Sequence, residues 1–362
     1  MPTENKTALR RGWTTGACAT AATRAAYTAL LTGAFPDPVA ITLPKGERPA
    51  FALAVEGRDD GSAMAGIVKD AGDDPDVTHG ALVVATVRAG APGSGVVFAA
   101  GEGVGTVTRA GLPVAVGEPA INPVPRRMMA AEIADVAAAH GASGDAAIEI
   151  SIPGGAALAE QTWNPRLGIV GGLSILGTTG IVHPFSCSAW IHAIHRGVDV
   201  ARANGTGHIA GATGSTSEDA VRALYGLDDI ALIDMGDFAG GLLKYLRVHP
   251  VERLTIAGGF AKLTKLGQGV LDLHSSRSQV DFDWLADRLA TLGAPDDTVA
   301  QARGANTAAQ VLELSRQAGI ALADHVAEAA LQTARDTLDR PDIAVDIVVV
   351  ERKGRIVGRA DG

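Results

Sequence analysis

The second half of the chain alternates apolar runs with helical stretches, and that alternation constrains its fold more than any other feature. Gly207 to Gly214, Ile230 to Asp237 and Arg253 to Gly259 each end in small or acidic residues before a segment of helical period begins. Strands apolar on both faces need cover on both faces, and strands separated by helices pair in parallel. The pattern predicts an α/β domain with a mainly parallel sheet. Ligands of such sheets bind at the carboxyl ends of the strands, where Gly214, Asp234, Asp237 and Gly258 fall. Ile343 to Val350, then Lys353-Gly354 and Ile356-Val357, predict a closing hairpin.

The first 150 or so residues read differently, as an α+β domain with a mixed sheet. Val39, Ile41 and Leu43 alternate with smaller residues, as do Phe51, Leu53 and Val55, and Ile148, Ile150 and Ile152, which is the period of half-buried strands. A helix is expected from Thr14 or Thr15, as N-cap, to Leu31, with Gly33 just past its end. Its start is a candidate anion site. A second helix follows Pro123-Val124-Pro125 and ends at His140-Gly141. Arg126 and Arg127 lie in its first turn, where the helix dipole disfavours cations, so either an anionic ligand or nearby acids should account for them. A length of 362 residues exceeds the usual single core. Two domains are expected, 1–160 and 161–362.

Between the halves runs a glycine-rich tract, Gly168-Ile169-Val170-Gly171-Gly172-Leu173-Ser174-Ile175-Leu176-Gly177-Thr178-Thr179-Gly180-Ile181-Val182. It reads either as a ligand loop whose backbone N–H groups approach a bound group, or as plain turns. Gly101-Glu102-Gly103-Val104-Gly105 reads as a hairpin turn, because no helix pattern or ribose-binding acid follows at the required interval. No glycine pair is followed by the lysine and hydroxyl residue of a P-loop. The acids of Ile67 to Thr78 have the wrong spacing for a calcium loop. His183, Cys187, His192 and His195 lack a standard zinc spacing, so no metal is expected.

Charge and composition narrow the partners. A formal net charge of −9 argues against nucleic acid held on a general basic surface. Two cysteines, Cys18 and Cys187, exclude a disulfide scaffold and fit a reducing, cytoplasmic setting. No export signal and no apolar run of membrane-spanning length is visible, so a soluble protein is expected.

Six motifs in order carry a resemblance. They are Gly12-Trp13-Thr14-Thr15-Gly16-Ala17-Cys18-Ala19, Lys69-Asp70-Ala71-Gly72-Asp73-Asp74-Pro75-Asp76-Val77-Thr78, Gly101-Glu102-Gly103-Val104-Gly105, Gly117-Glu118-Pro119-Ala120-Ile121-Asn122-Pro123-Val124-Pro125-Arg126, Ser174-Ile175-Leu176-Gly177-Thr178-Thr179-Gly180-Ile181 and Gly258-Gly259-Phe260-Ala261-Lys262-Leu263-Thr264-Lys265. Over about residues 9 to 275 the chain resembles the cobalt-precorrin-5B C1-methyltransferase family of corrin-ring biosynthesis. One departure is Pro184-Phe185 before Ser186-Cys187-Ser188, where related sequences often carry Pro-Met and then acids.

The resemblance implies S-adenosylmethionine as methyl donor, a tetrapyrrole substrate rich in acetate and propionate groups, and cobalt-precorrin-6A as product. With that implication, Gly171, Gly172, Gly177, Thr178, Thr179, Gly180, Gly211, Gly214 and Asp234 become the expected cofactor cleft, Asp234 as an acceptor for ribose hydroxyls. Thr14, Thr15, Lys69, Arg109, Arg126, Arg127, Lys262 and Lys265 become the expected contacts to substrate carboxylates. No catalytic acid or base is singled out. A nicotinamide-dependent oxidoreductase and a tetrapyrrole-binding protein without turnover remain as alternatives.

Overall fold

The computed structural model describes residues 9–362. The chain forms two compact units, Met1–Ser186 and Cys187–Gly362. In the first, β1 (Gly12–Trp13) leads into α1 (Thr15–Thr32). Strands β2 (Val39–Ala40), β3 (Ala50–Phe51), β4 (Val55–Asp59), β5 (Ser62–Val68), β6 (Leu82–Ala89), β7 (Val96–Ala100) and β8 (Thr106–Val107) follow. Then come α2 (Pro123–His140), β9 (Ala146–Ser151), α3 (Gly155–Ala159), β10 (Ile169–Val170) and β11 (Ile181–Val182).

The main sheet runs β4-β5-β6-β9-β7, antiparallel except for the parallel β7–β9 pair, so it is mixed as expected. Helix α1 packs against β5, β6 and α2 through Ala17, Ala21, Ala22, Ala25 and Ala29, all fully buried. Alanine brings no bulk and the best helix propensity, so the helix lies close to its neighbours without losing side-chain entropy. The Thr14 hydroxyl accepts the Ala17 N–H at 3.1 Å, and Gly33 closes the other end in the left-handed region at φ 82°. Burial pushes the Cys18 thiol up to about 12, leaving it an inert core group.

Two expectations fail here. The Gly101–Gly105 stretch is no hairpin turn: it leaves the main sheet, and the following β8 pairs with β10 instead. The glycine tract belongs to the first unit, because β10 pairs with β8, β11 with β1, and Leu173 and Ile175 bridge to Val104 and Ile121. The division of the chain therefore falls after Ser186, whereas the apolar periodicity had suggested residue 160.

The second unit opens with α4 (Cys187–Ala203) and continues with β12 (His208–Ala212), α5 (Ser215–Tyr225), β13 (Leu232–Asp234), α6 (Ala239–Val248), β14 (Arg253–Gly259) and α7 (Phe260–Gly267). Helices α8 (Phe282–Thr291), α9 (Asp296–Arg303), α10 (Ala308–Gln317) and α11 (Leu322–Leu338) precede β15 (Ala344–Val350) and β16 (Ile356–Asp361). The sheet order is β13-β12-β14-β15-β16, parallel through β15, with β16 the antiparallel arm of the closing hairpin. Ile209, Leu254, Ile256, Val345, Ile347 and Val349 enter the larger core, with residues of α4, α6, α7 and α11. Ala210, Ala257, Val348 and Val350 form a smaller cluster with Val221 of α5. Both faces are covered, which is why these strands read as continuous apolar runs.

A Cβ on Gly172 would overlap the Gly103 backbone, and Gly103 itself lies against Gly155. Substituting Gly172→Ala must push these backbones apart. A loss of about 1–3 kcal/mol of stability is expected, read from the denaturation midpoint of the purified protein; an unchanged midpoint would contradict this packing.

Candidate functional site

In the parallel sheet the chain places its second strand on one side of the first and its third on the other. That makes the carboxyl ends of β12 and β14 a topological switch point, the position where open α/β sheets bind ligands. β12 is followed by Thr213-Gly214, and Gly214 is the N-cap of α5; β14 ends at Gly259, the N-cap of α7. Neither helix has a side-chain cap at its first N–H groups. A Cβ on Gly214 or on Gly259 would meet nothing within 4 Å. The two glycines thus leave a backbone-lined opening between two helix starts, which suits a group that must come close to the main chain. Gly258 is different: its Cβ would lie 2.8 Å from Thr213 Cγ2, so packing alone requires glycine there.

Asp234 ends β13, the strand beside β12. Its Oδ1 accepts the Gly236 N–H at 3.2 Å, and its carbonyl accepts from Trp190 Nε1 at 3.2 Å. Gly236 has φ 54°, and the Trp190 ring lies where a Cβ on it would point, so the turn after β13 is fixed from both sides. Asp234 stands 20 residues beyond Gly214 (234 − 214) on the neighbouring strand end. This is the relative placement in which an acid reaches the ribose of a nucleotide held at the first turn.

Lys262 and Lys265 are tied into this edge rather than presented from it. Lys262 Nζ donates to the Thr213 carbonyl at 2.9 Å and lies 3.0 Å from Asp237 Oδ1, an ion pair without hydrogen-bond geometry. Lys265 is buried and donates to the Leu273 carbonyl at 2.8 Å. Burial lowers its pKa, partly offset by Asp237. The two amines join the loops after β12, β13 and α7. A Cβ on Gly211 would run into Leu242 and Met235, so core packing below the strand ends already calls for glycine there.

In the first unit most of the expected substrate contacts are also committed. The start of α1 is occupied by its own chain: the Gly16 N–H goes to the Leu176 carbonyl at 2.8 Å, the Ala17 N–H to Thr14 Oγ1, and Thr15 is buried. Thr14 and Thr15 therefore build a closed N-terminus, because β11 brings the glycine tract over it. Lys69 is 2 % exposed and donates to Asp76 and Thr78. Arg126 donates to the Ile121 and Pro119 carbonyls and to Glu118, and lies over the Phe98 ring, so nearby acceptors account for it. Arg109 packs along Gly168 and reaches the Arg166 carbonyl at 3.3 Å. Arg127 is exposed. Within the tract, Gly172 meets Gly103, Gly177 meets Thr14, Gly180 meets Leu43, and Thr179 bonds within its own turn. Packing explains those residues; Gly171 and Thr178 stay exposed.

Among the described residues, no group of three or more His, Cys, Asp or Glu is placed to hold a metal, and no helix is long and apolar enough to cross a membrane.

The second unit is an α/β domain with a mainly parallel sheet, and the first is a mixed-sheet α+β domain. Residues 2–184 match the family model CbiD, and residues 272–361 match the CbiD C-terminal domain. The chain belongs to the CbiD family. It is 64% identical over 356 residues to a protein of Brucella anthropi named cobalt-precorrin-5B C(1)-methyltransferase, covering 98% of this chain and 97% of that one. It is also 64% identical to the protein of that name from Brucella canis, over 98% of this chain and 96% of the other. A crystal structure of a cobalamin biosynthesis protein (cbiD) from Archaeoglobus fulgidus shares 28% identity over 74% of this chain and 83% of that chain, with a TM-score of 0.40.

The acidic motif acts as a clasp. Arg10 pairs with Asp70, the Arg10 N–H donates to Asp73, and Asp74 accepts the Phe185 N–H at 2.8 Å. The Arg10 hydrogen bond, with the Gly72 N–H, holds Asp70 down at about 2. A depressed carboxylate contributes stability that is complete above its unfolded value of ~3.9 and is lost as pH falls through the folded value. Stability should therefore decline between pH ~4 and about 2, and Asp70→Asn should flatten that part of the denaturation-midpoint profile. An identical acid limb in the variant would remove Asp70 from the account.

Proposed function

We propose that this protein transfers a methyl group from S-adenosylmethionine to C1 of cobalt-precorrin-5B, giving cobalt-precorrin-6A. The observation that carries the reading is 64% identity over 98% of the chain to proteins named for that methylation. The strand-end opening supports the choice of donor. Gly214 and Gly259 leave room at two helix starts, and Asp234 offers a carboxylate on the next strand for ribose hydroxyls.

When bound, the cofactor supplies a methyl group on a sulfonium. What the protein supplies is position and dryness. Fixed orientation of two reactants can lower a barrier by about 7–11 kcal/mol without any acid or base, and the sulfonium charge disappears as the reaction proceeds, which an apolar surround favours. Asp234 is assigned to orient the donor, with Gly214 and the first turn of α5 holding its polar end. In the first unit, Arg127 and Thr178 are the exposed polar groups of the expected set, and we assign them to the tetrapyrrole.

The test is an anaerobic assay with cobalt-precorrin-5B and S-adenosylmethionine, read as gain of one methyl by mass. Asp234→Ala should raise KM for S-adenosylmethionine by about tenfold, the loss of one charge-assisted hydrogen-bond site. Unchanged donor affinity would remove Asp234 from the site. A thermal shift with NADPH and none with S-adenosylhomocysteine would overturn the reading in favour of an oxidoreductase.

A further inference from the structure

The cations expected to meet substrate carboxylates are mostly bound up in internal contacts, so a polycarboxylate needs other partners. The second unit holds a cleft of about 490 Å³ between α4, α6 and the segment 271–277. Its walls include Ile191, Phe238, Leu271 and the Tyr245 ring, and its cations are Lys244 and Arg277. α6 is the helix that follows β13, so the cleft adjoins the strand end carrying Asp234, and Trp190 of α4 bonds to the Asp234 carbonyl.

The walls are stiff. The Tyr245 ring stacks between His195 at 3.8 Å and His249 at 4.0 Å, and its hydroxyl donates to Asp199 at 2.6 Å. The cations are not equivalent. Arg277 is held by Asp272 at 2.8 Å and by Cys187 Sγ at 3.3 Å, both cleft residues. Lys244 is exposed and makes no ion pair or hydrogen bond among the described residues. With one carboxylate against two cations, and His195 kept neutral by burial, the cleft carries a net positive charge over an apolar floor. A cationic sulfonium is repelled by that balance. A flat apolar ring edge bearing carboxylates fits it.

Resting on the proposed methyl transfer, we propose that this cleft takes a carboxylate-bearing edge of the tetrapyrrole substrate, with Lys244 and Arg277 binding its acid groups. Lys244 is the freer of the two, so its loss removes a substrate contact without leaving a buried partner behind.

The test is steady-state kinetics on the full chain, with thermal stability as the folding control. Lys244→Gln should raise KM for cobalt-precorrin-5B about three- to tenfold, more than it lowers kcat, with KM for S-adenosylmethionine unchanged. Lys244→Arg should restore KM, and Lys244→Gln with Arg277→Gln should raise it further. An unchanged KM for the tetrapyrrole in the double variant would overturn the assignment, as would a rise confined to KM for S-adenosylmethionine. Absence of turnover by the unmodified chain would overturn the methyl-transfer reading, and this assignment with it.

Discussion

Parallel pairing of β12 with strands on both sides is the constraint on which the second unit depends. Ala210–Ala212 pair with Leu232–Asp234, and His208–Ala212 pair with Arg253–Ala257, so three carboxyl ends are brought to one edge. Because the chain turns to opposite sides of β12 in reaching β13 and β14, the two following helices start on either side of a gap. That register sets Gly214, Gly259 and Asp234 along the same edge of the sheet. A one-residue slip would turn the apolar side chains of a strand to the wrong core.

Basic residues in this acidic protein serve mainly to tie the chain to itself. Lys69 neutralises a buried turn, Arg126 gathers two carbonyls and Glu118, and Lys262 and Lys265 join three loops. Each satisfies carbonyls or carboxylates that would otherwise be costly to bury. Among the cations outside such ties are Arg127 in the first unit and Lys244 in the second. Charge sign in the sequence marked candidates; only the contacts separate structural cations from available ones.

Much of the fold was legible because local rules and tertiary demands agree. Thr14 and Gly33 bound α1, Pro123 and Gly141 bound α2, and the apolar runs of the second half became β12, β13 and β14. The expected strand through Phe51, Leu53 and Val55 instead divides into β3 and β4, since its alternation ignores which partner each half finds. α8 to α11 carried no motif and passed without expectation, although their amphipathic period was available as a signal. The glycine tract misled for a physical reason. Close backbone approach to Gly103 or to Thr14 selects glycine as strongly as a ligand does, and the sequence records only the glycine. Lys244 and Arg277 escaped notice because their cleft is assembled from separate helices and a distant loop.

The proposed place of the methyl donor is the strand end at Gly214. Isothermal titration of S-adenosylhomocysteine into the protein and into Gly214→Val tests it, since a Cβ there meets no protein atom within 4 Å. The predicted result is donor-analogue binding by the unmodified protein and loss of at least about tenfold in affinity, some 1.4 kcal/mol, in a variant of unchanged thermal stability. Equal affinity in the two proteins would contradict the claim.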